Sequence, residues 1–179
     1  GLPVYHSISK PEISQGTLQA VFEFQTLICQ LTGMEVSNSS LYDGSSSLAE
    51  AILMAVRVTG RQKIIVPKNL HPHYRTVLET YISNLDICIE EIPFSQSGRI
   101  DPQHLQQILT DEHAAVITQS PNFFGIIEEI EEISRLCQKK GVLSIVSITE
   151  AISLGILKPP GQLGADIVVG EAQSFGLPL

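Results

Sequence analysis

Apolar residues recur at helical spacing between Ser14 and Thr32: Leu18, Val21, Phe22, Phe24, Leu27, Ile28 and Leu31 form one stripe, and Gly33 follows as a left-handed stop. The stripe predicts a helix that packs into a core or an interface. Ahead of it, residues 1–13 are rich in Pro, Ser and other polar groups without a helical period, and they read as an extended arm. Behind it, Val36–Leu41 is expected as a short strand. Asp43 and Gly44 then make a turn, and Ser47 with Glu50 three positions on gives a capping-box signature before an Ala/Leu/Met helix that runs to Val58.

From there apolar runs alternate with helical stretches. Lys63–Pro67 (KIIVP) is the second strand, and Pro72 opens a helix carrying Tyr74, Val77, Leu78 and Tyr81. Asp86–Ile92 is the third strand, followed by a turn at Ser95-Gln96-Ser97-Gly98 and a helix from Asp101 or Pro102 to Leu109. Ala114–Thr118 is the fourth. A helix from Ile126 to Lys140 is acidic early and basic late, as its dipole favours, and Gly141 ends it. Val142–Ser147 and Asp166–Val169 complete the set as the fifth and sixth strands.

This alternation predicts an α/β fold, a mainly parallel sheet with helices on both faces. The distinctive polar loops at 43–47, 69–73, 119–125, 147–153 and 170–174 then all fall at carboxyl ends of strands. Open α/β sheets bind their ligands at that edge.

Composition narrows the class. Hydrophobic content of 43% and aromatic content of 6% without Trp describe an aliphatic globular chain. A net charge of −8 lacks the clustered cations that nucleic acid demands. No apolar run approaches the roughly 20 residues of a membrane span, and the N-terminus GLPVYHSISK has no signal-peptide core, so a soluble cytoplasmic chain is expected. Cys29, Cys88 and Cys137 are odd in number and widely spaced, which suggests reduced thiols and neither a disulfide framework nor a zinc ribbon. At 179 residues there is room for one core: an arm over 1–13 and a single domain over 14–179. The chain opens in a loop and stops just after its last strand, the outline of a truncated piece of a larger subunit. Such a piece is expected to expose apolar faces and to associate.

Three loops carry candidate chemistry. Asp43–Ser47 places hydroxyls and backbone N–H groups at a helix N-terminus, which suits a phosphate, although the P-loop lysine and the repeated glycines of a dinucleotide fingerprint are both absent. An ordinary capped helix reads the same way. His71-Pro72-His73 lacks an acidic or sulfur partner at local spacing for a metal site, and a histidine there is better suited to stacking on a planar ring. Gly164–Gly176 (GADIVVGEAQSFG) is a β-branched run passing abruptly into a small polar loop, either a strand emptying into a site or a strand with a plain turn.

PEISQGTLQAVFEFQTLICQLTG, SLYDGSSSLAEA, QSPNFFGIIEE, SLGILKPPG and GADIVVGEAQSFG together resemble the glycine cleavage P protein, in the form of its α subunit (subunit 1 of glycine dehydrogenase, decarboxylating), which lacks pyridoxal phosphate (PLP). The resemblance covers nearly the whole chain. It implies the large cofactor domain of the aspartate-aminotransferase-like PLP fold (fold type I). Gly44, Ser45 and Ser46 would correspond to the phosphate cup of PLP relatives, Asn122 to the asparagine that bonds the pyridoxal O3′, and His71 or His73 to the ring-stacking position. Glu150 falls near the aspartate that keeps the pyridine nitrogen protonated, and Ser174 follows Gln173 where relatives carry the Schiff-base lysine.

A serine hydroxyl forms no imine, so this chain is expected to hold no PLP covalently. The resemblance places PLP instead in a homologous β subunit, assembled with this one as α2β2. There glycine is decarboxylated and its aminomethyl group passes to the lipoyl H protein. At the arm, Val4-Tyr5-His6-Ser7 departs from the Thr-Pro-Tyr-Gln expected of the family. Two alternatives stay open: a free-standing α/β transferase-like enzyme holding a phosphorylated ligand noncovalently, and a scaffold without chemistry.

Overall fold

The computed structural model describes residues 14–176. The expected arm over 1–13 lies outside them. Helix α1 (Gln15–Thr32) ends at Gly33 in the left-handed region, φ 71°. Helix α2 (Gly44–Thr59) follows, then β1 (Lys63–Pro67), α3 (Pro72–Ile82), β2 (Cys88–Ile92), α4 (Pro102–Ile108), β3 (His113–Gln119), α5 (Ile130–Lys140), β4 (Leu143–Ile148) and β5 (Ile167–Gly170). Short 3-10 turns occupy Ala151–Gly155, Pro160–Leu163 and Gln173–Phe175.

Among the described residues five parallel strands form one sheet in the order β2-β1-β3-β4-β5. Its two faces follow from the pleat, which sends alternate side chains to opposite sides. Ile64 and Val66 join Ile52 of α2, Leu78 of α3 and Ile117 of β3 on one face. Ile65 and Val116 join Leu105 of α4 and Ile133 and Leu136 of α5 on the other. Helices therefore cover both faces, and central β3 is buried at every position, as its AAVIT run requires. Each such Ile or Leu removed from water contributes roughly 1.5–3 kcal/mol before chain entropy is set against it.

The helix ends follow local chemistry. Gly141 closes α5 at φ 62°, Gly98 turns at φ 78°, and Asp101 caps α4 by accepting from Gln103 N at 2.9 Å. Helix α1 is the exception to good burial: Thr32 is its only buried residue, while Phe22 is 70% and Leu27 57% exposed.

Four expectations need correction. Val36–Leu41 forms no strand; Val36 is 83% exposed and the segment pairs with nothing in the sheet. The second strand of the sheet starts at Cys88 and not at Asp86. The capping box of α2 is Asp43 with Ser46, not Ser47 with Glu50. Helix α5 begins at Ile130, four residues late, because Asn122 Oδ1 takes the Ile126 N–H and the Glu128 side chain turns inward. No helix among the described residues is long and apolar enough to cross a membrane.

Candidate functional site

Hydrogen bonds tie the carboxyl-edge loops to one another. Gln119, at the end of β3, accepts from His71 N at 2.7 Å and donates to Thr149 Oγ1 at 3.3 Å, joining the ends of β1, β3 and β4. Phe123 N donates to Asn69 O at 3.0 Å. Beyond β5, Glu171 accepts from the Tyr74 hydroxyl of α3. Burial, then this hydrogen bond, pushes the Tyr74 phenol well above its usual range, so it stays a donor.

That Tyr74–Glu171 bond lies directly over Gly44, the first residue of α2. A Cβ built there would collide with the Tyr74 hydroxyl and stand 2.7 Å from Glu171 Cγ. Only glycine fits beneath the pair. Asp43, just before it, receives Ser46 N at 2.7 Å and the Ser45 hydroxyl at 2.8 Å on the same oxygen. The Ser46 backbone N–H, then the Ser45 hydroxyl, holds the Asp43 carboxyl below its usual range.

A second cluster lies behind the loops. The buried Glu128 carboxylate accepts from Asn69 Nδ2 at 2.6 Å and Asn122 Nδ2 at 2.8 Å on Oε1, and from Ile100 N at 3.0 Å on Oε2. Burial pushes this carboxyl up, against the pull of its three donors. Asn122 also donates to Gly98 O and accepts from Phe124 N and Ile126 N, so both ends of its amide are committed within the chain.

The sequence-predicted residues are thus distributed unevenly. Gly44, Ser45 and Ser46 stand at the α2 N-terminus beside Asp43, Tyr74 and Glu171. His71 caps α3, accepting from His73 N at 3.2 Å, and its ring sits edge-on to Phe123 at 5.4 Å and tilted to Tyr74 at 5.5 Å. Asn122 belongs to the Glu128 cluster. Glu150 is exposed and caps Ile152 N at 3.3 Å; Ser174 is exposed in the 3-10 turn Gln173–Phe175, which packs on the turn after Glu150.

Gln119, Asn69, Glu128, Tyr74 and Glu171 were missed. The only signal for Glu171 was its place two residues beyond the β-branched run, and for Glu128 its place beyond PNFFG. Among the described residues no group of three or more His, Cys, Asp or Glu side chains is placed to hold a metal.

These residues do not fit PLP as relatives of the fold type would hold it. Ser174 stands where the Schiff-base lysine is expected, the serine hydroxyls at α2 serve Asp43, and Asn122 has no free amide group to offer.

Comparison with known proteins identifies the scaffold. A relative from Koribacter versatilis (strain Ellin345), "Probable glycine dehydrogenase (decarboxylating) subunit 1", is 54% identical over 171 residues, 95% of this chain and 38% of its own. A protein of the same name from Desulfitobacterium hafniense is 55% identical over 170 residues, with the same shares covered. The chain therefore spans 38% of the length of these relatives. Among solved structures, glycine decarboxylase (P-protein) of the glycine cleavage system, in inhibitor-bound form, matches with a TM-score of 0.88 at 42% identity, over 95% of this chain and 38% of that one. An O-acetylhomoserine (thiol)-lyase from Campylobacter jejuni, solved with a pyridoxyl-lysine phosphate, shares the fold at TM-score 0.65 and 17% identity, over 84% of this chain and 35% of its own. The architecture is that of the fold type I PLP enzymes. With the model of the glycine cleavage system P-protein matched over residues 5–179, the chain belongs to that family.

Proposed function

We propose that this chain is part of the PLP-free subunit of a glycine dehydrogenase (decarboxylating), and that it supports the reaction without performing its covalent chemistry. The carrying observation is Ser174: it follows Gln173 where the Schiff-base lysine is expected, in a chain more than half identical to proteins named as subunit 1. PLP, held by a homologous partner subunit, supplies the electron sink for loss of carbon dioxide from glycine. The assembly is α2β2, works in the cytoplasm, and hands the aminomethyl group to the lipoyl H protein.

This chain's part is surface and order. Phe22 and Leu27 on α1, with Phe123, Phe124, Ile152, Ile156 and Phe175 near the carboxyl edge, are exposed apolar groups suited to burial against a partner. The bonded loops behind them keep that surface in one shape. A free-standing enzyme with a noncovalent phosphorylated ligand would need open hydroxyls at α2, and Asp43 holds those of Ser45, Ser46 and Ser47.

The test adds PLP to the purified full-length protein, reduces with borohydride and locates pyridoxyl-lysine by mass spectrometry. Only scattered labelling of exposed lysines such as Lys139 and Lys140 is expected, with glycine decarboxylation appearing when the partner subunit is added. Stoichiometric labelling of one lysine, for instance Lys158, overturns the reading.

A further inference from the structure

Asp43 takes up the serine donors, and Glu171 the space over Gly44, that an anion would use at the α2 N-terminus. We infer that they act together as an internal anion, so that the chain excludes phosphate esters from this edge independently of the missing lysine. The inference rests on the PLP-free reading above and extends it: the cup is filled, and a lysine restored at position 174 does not reopen it.

Helix N-termini bind phosphate through free N–H groups and nearby hydroxyls. Here Ser46 N and the Ser45 hydroxyl converge on Asp43 Oδ1 at 2.7 and 2.8 Å. The Ser47 hydroxyl donates to Asp43 O at 2.5 Å, and that of Ser46 to the same oxygen at 3.2 Å. All three serines are therefore spent on one residue. Above Gly44, where the missing side chain would let a ligand approach the backbone, Glu171 lies within 2.8 Å of the position a Cβ would take and is held there by Tyr74.

Charge works in the same direction. Among the described residues no Lys or Arg forms an ion pair with Asp43 or Glu171; Lys68, after β1, and Arg75, on α3, both pair with Glu91. The helix N-terminus, equivalent to about half a positive charge, faces carboxylates already in place. An arriving dianion meets two like charges, with the three serine hydroxyls already engaged.

The experiment uses the full-length protein and two probes, inorganic phosphate and PLP. In wild type and in Ser174→Lys, phosphate is expected to leave Tm unchanged relative to chloride of equal ionic strength, and PLP to leave no stoichiometric pyridoxyl group after borohydride. Asp43→Asn with Glu171→Gln removes both charges while keeping a capping side chain and an acceptor for Tyr74. In that variant phosphate raises Tm, with an apparent affinity about tenfold or more above wild type. Adding Ser174→Lys lets the introduced amine condense with the PLP aldehyde, losing water, and borohydride then fixes the imine as a secondary amine.

Glu171→Gln alone leaves the cap untouched and is expected to give a smaller gain of the same sign, which guards against a folding defect in the double variant. Retention of PLP by Ser174→Lys alone overturns the inference. So does a phosphate-dependent Tm rise in wild type, or none in either folded charge-neutralised variant. Pyridoxyl-lysine in wild type would instead sink the PLP-free reading and leave the phosphate result standing.

Discussion

Replacing Glu128 with alanine removes one buried carboxylate that holds three segments together. Its oxygens accept from Asn69, Asn122 and Ile100 N at 2.6, 2.8 and 3.0 Å, linking the loop after β1, the loop after β3 and the stretch before α4. Alanine leaves three buried N–H groups without that acceptor, and each orphaned donor costs about 1–3 kcal/mol. Two circumstances favour the low end. Both amide nitrogens keep Gly98 O at 2.9 Å, and Glu128 lines a cavity of about 190 Å³ through which water can reach the vacated space. The expected loss is about 3 kcal/mol, a Tm drop of roughly 6–12 °C for a domain of this size. Thermal and urea unfolding of Glu128→Ala, Asn122→Ala and the double variant check it. Because both single changes remove the same bond, the double variant is expected to lose about 1 kcal/mol less than their sum. A loss below about 1 kcal/mol for Glu128→Ala, or strict additivity, would refute the three-donor account.

The remaining predictions follow from particular contacts. Gly44→Ala drives a methyl into the Tyr74–Glu171 pair and is expected to cost about 1–3 kcal/mol in thermal unfolding, part of it recovered by Tyr74→Phe, which removes the struck hydroxyl. The two perturbed carboxyls give opposite pH slopes. Asp43, with its folded pKa lowered, contributes stability above the ordinary carboxylate range that disappears as pH falls through its folded value. Glu128, with its folded pKa raised, contributes most below the ordinary range and loses that contribution as pH rises through its folded value. Stability measured from pH 3 to 8 is therefore expected to lose its acid-side slope in Asp43→Asn and its opposing slope in Glu128→Gln. Burial pushes the Cys137 thiol up to about 12, so an aromatic disulfide reagent at pH 8 is expected to modify exposed Cys88 in the native protein and Cys137 only with unfolding. Native-state modification of Cys137 at the rate of Cys88 would contradict its burial.

Much of the scaffold was legible because parallel sheets impose a strict demand: a strand covered on both faces must be apolar throughout. KIIVP and AAVIT meet that demand, and Ile64–Val66 and Ala114–Ile117 are fully buried. Val36–Leu41 shows the limit of the pattern. Val36 and Leu41 enclose four polar residues, and Ser40 adopts φ 123°, so nothing compensates the chain for entering a sheet. At Ile126–Glu129 composition favours helix, but Asn122 claims the Ile126 amide and Glu128 is needed inside, a satisfaction supplied from 28 residues away at Ile100.

Loop convergence was also legible, since parallel topology brings successive carboxyl ends to one edge. What fills the edge was not. Tyr74 and Glu171 are 97 residues apart, and no local pattern records their meeting. Asp43 was visible as a turn former, yet Ser47 and Glu50 offer an equally good capping signature, and only the fold decides between them.

Helix α1 carries a consequence for the life of an unassembled chain. Its 18 residues extend about 27 Å, yet only Thr32 is buried, next to Gly33, whose close neighbours are Pro159 and Gln162. Most helical stability comes from packing an amphipathic face, and this helix also lacks both an acidic first turn and a basic last turn. Its order is therefore borrowed from whatever covers its stripe. In a copy without such a cover it is expected to fray and to be cut before the sheet, and in the assembly proposed above the same segment would be shielded. If the proposed partner subunit is that cover, degradation of unpaired copies would match the two amounts without any dedicated sensor.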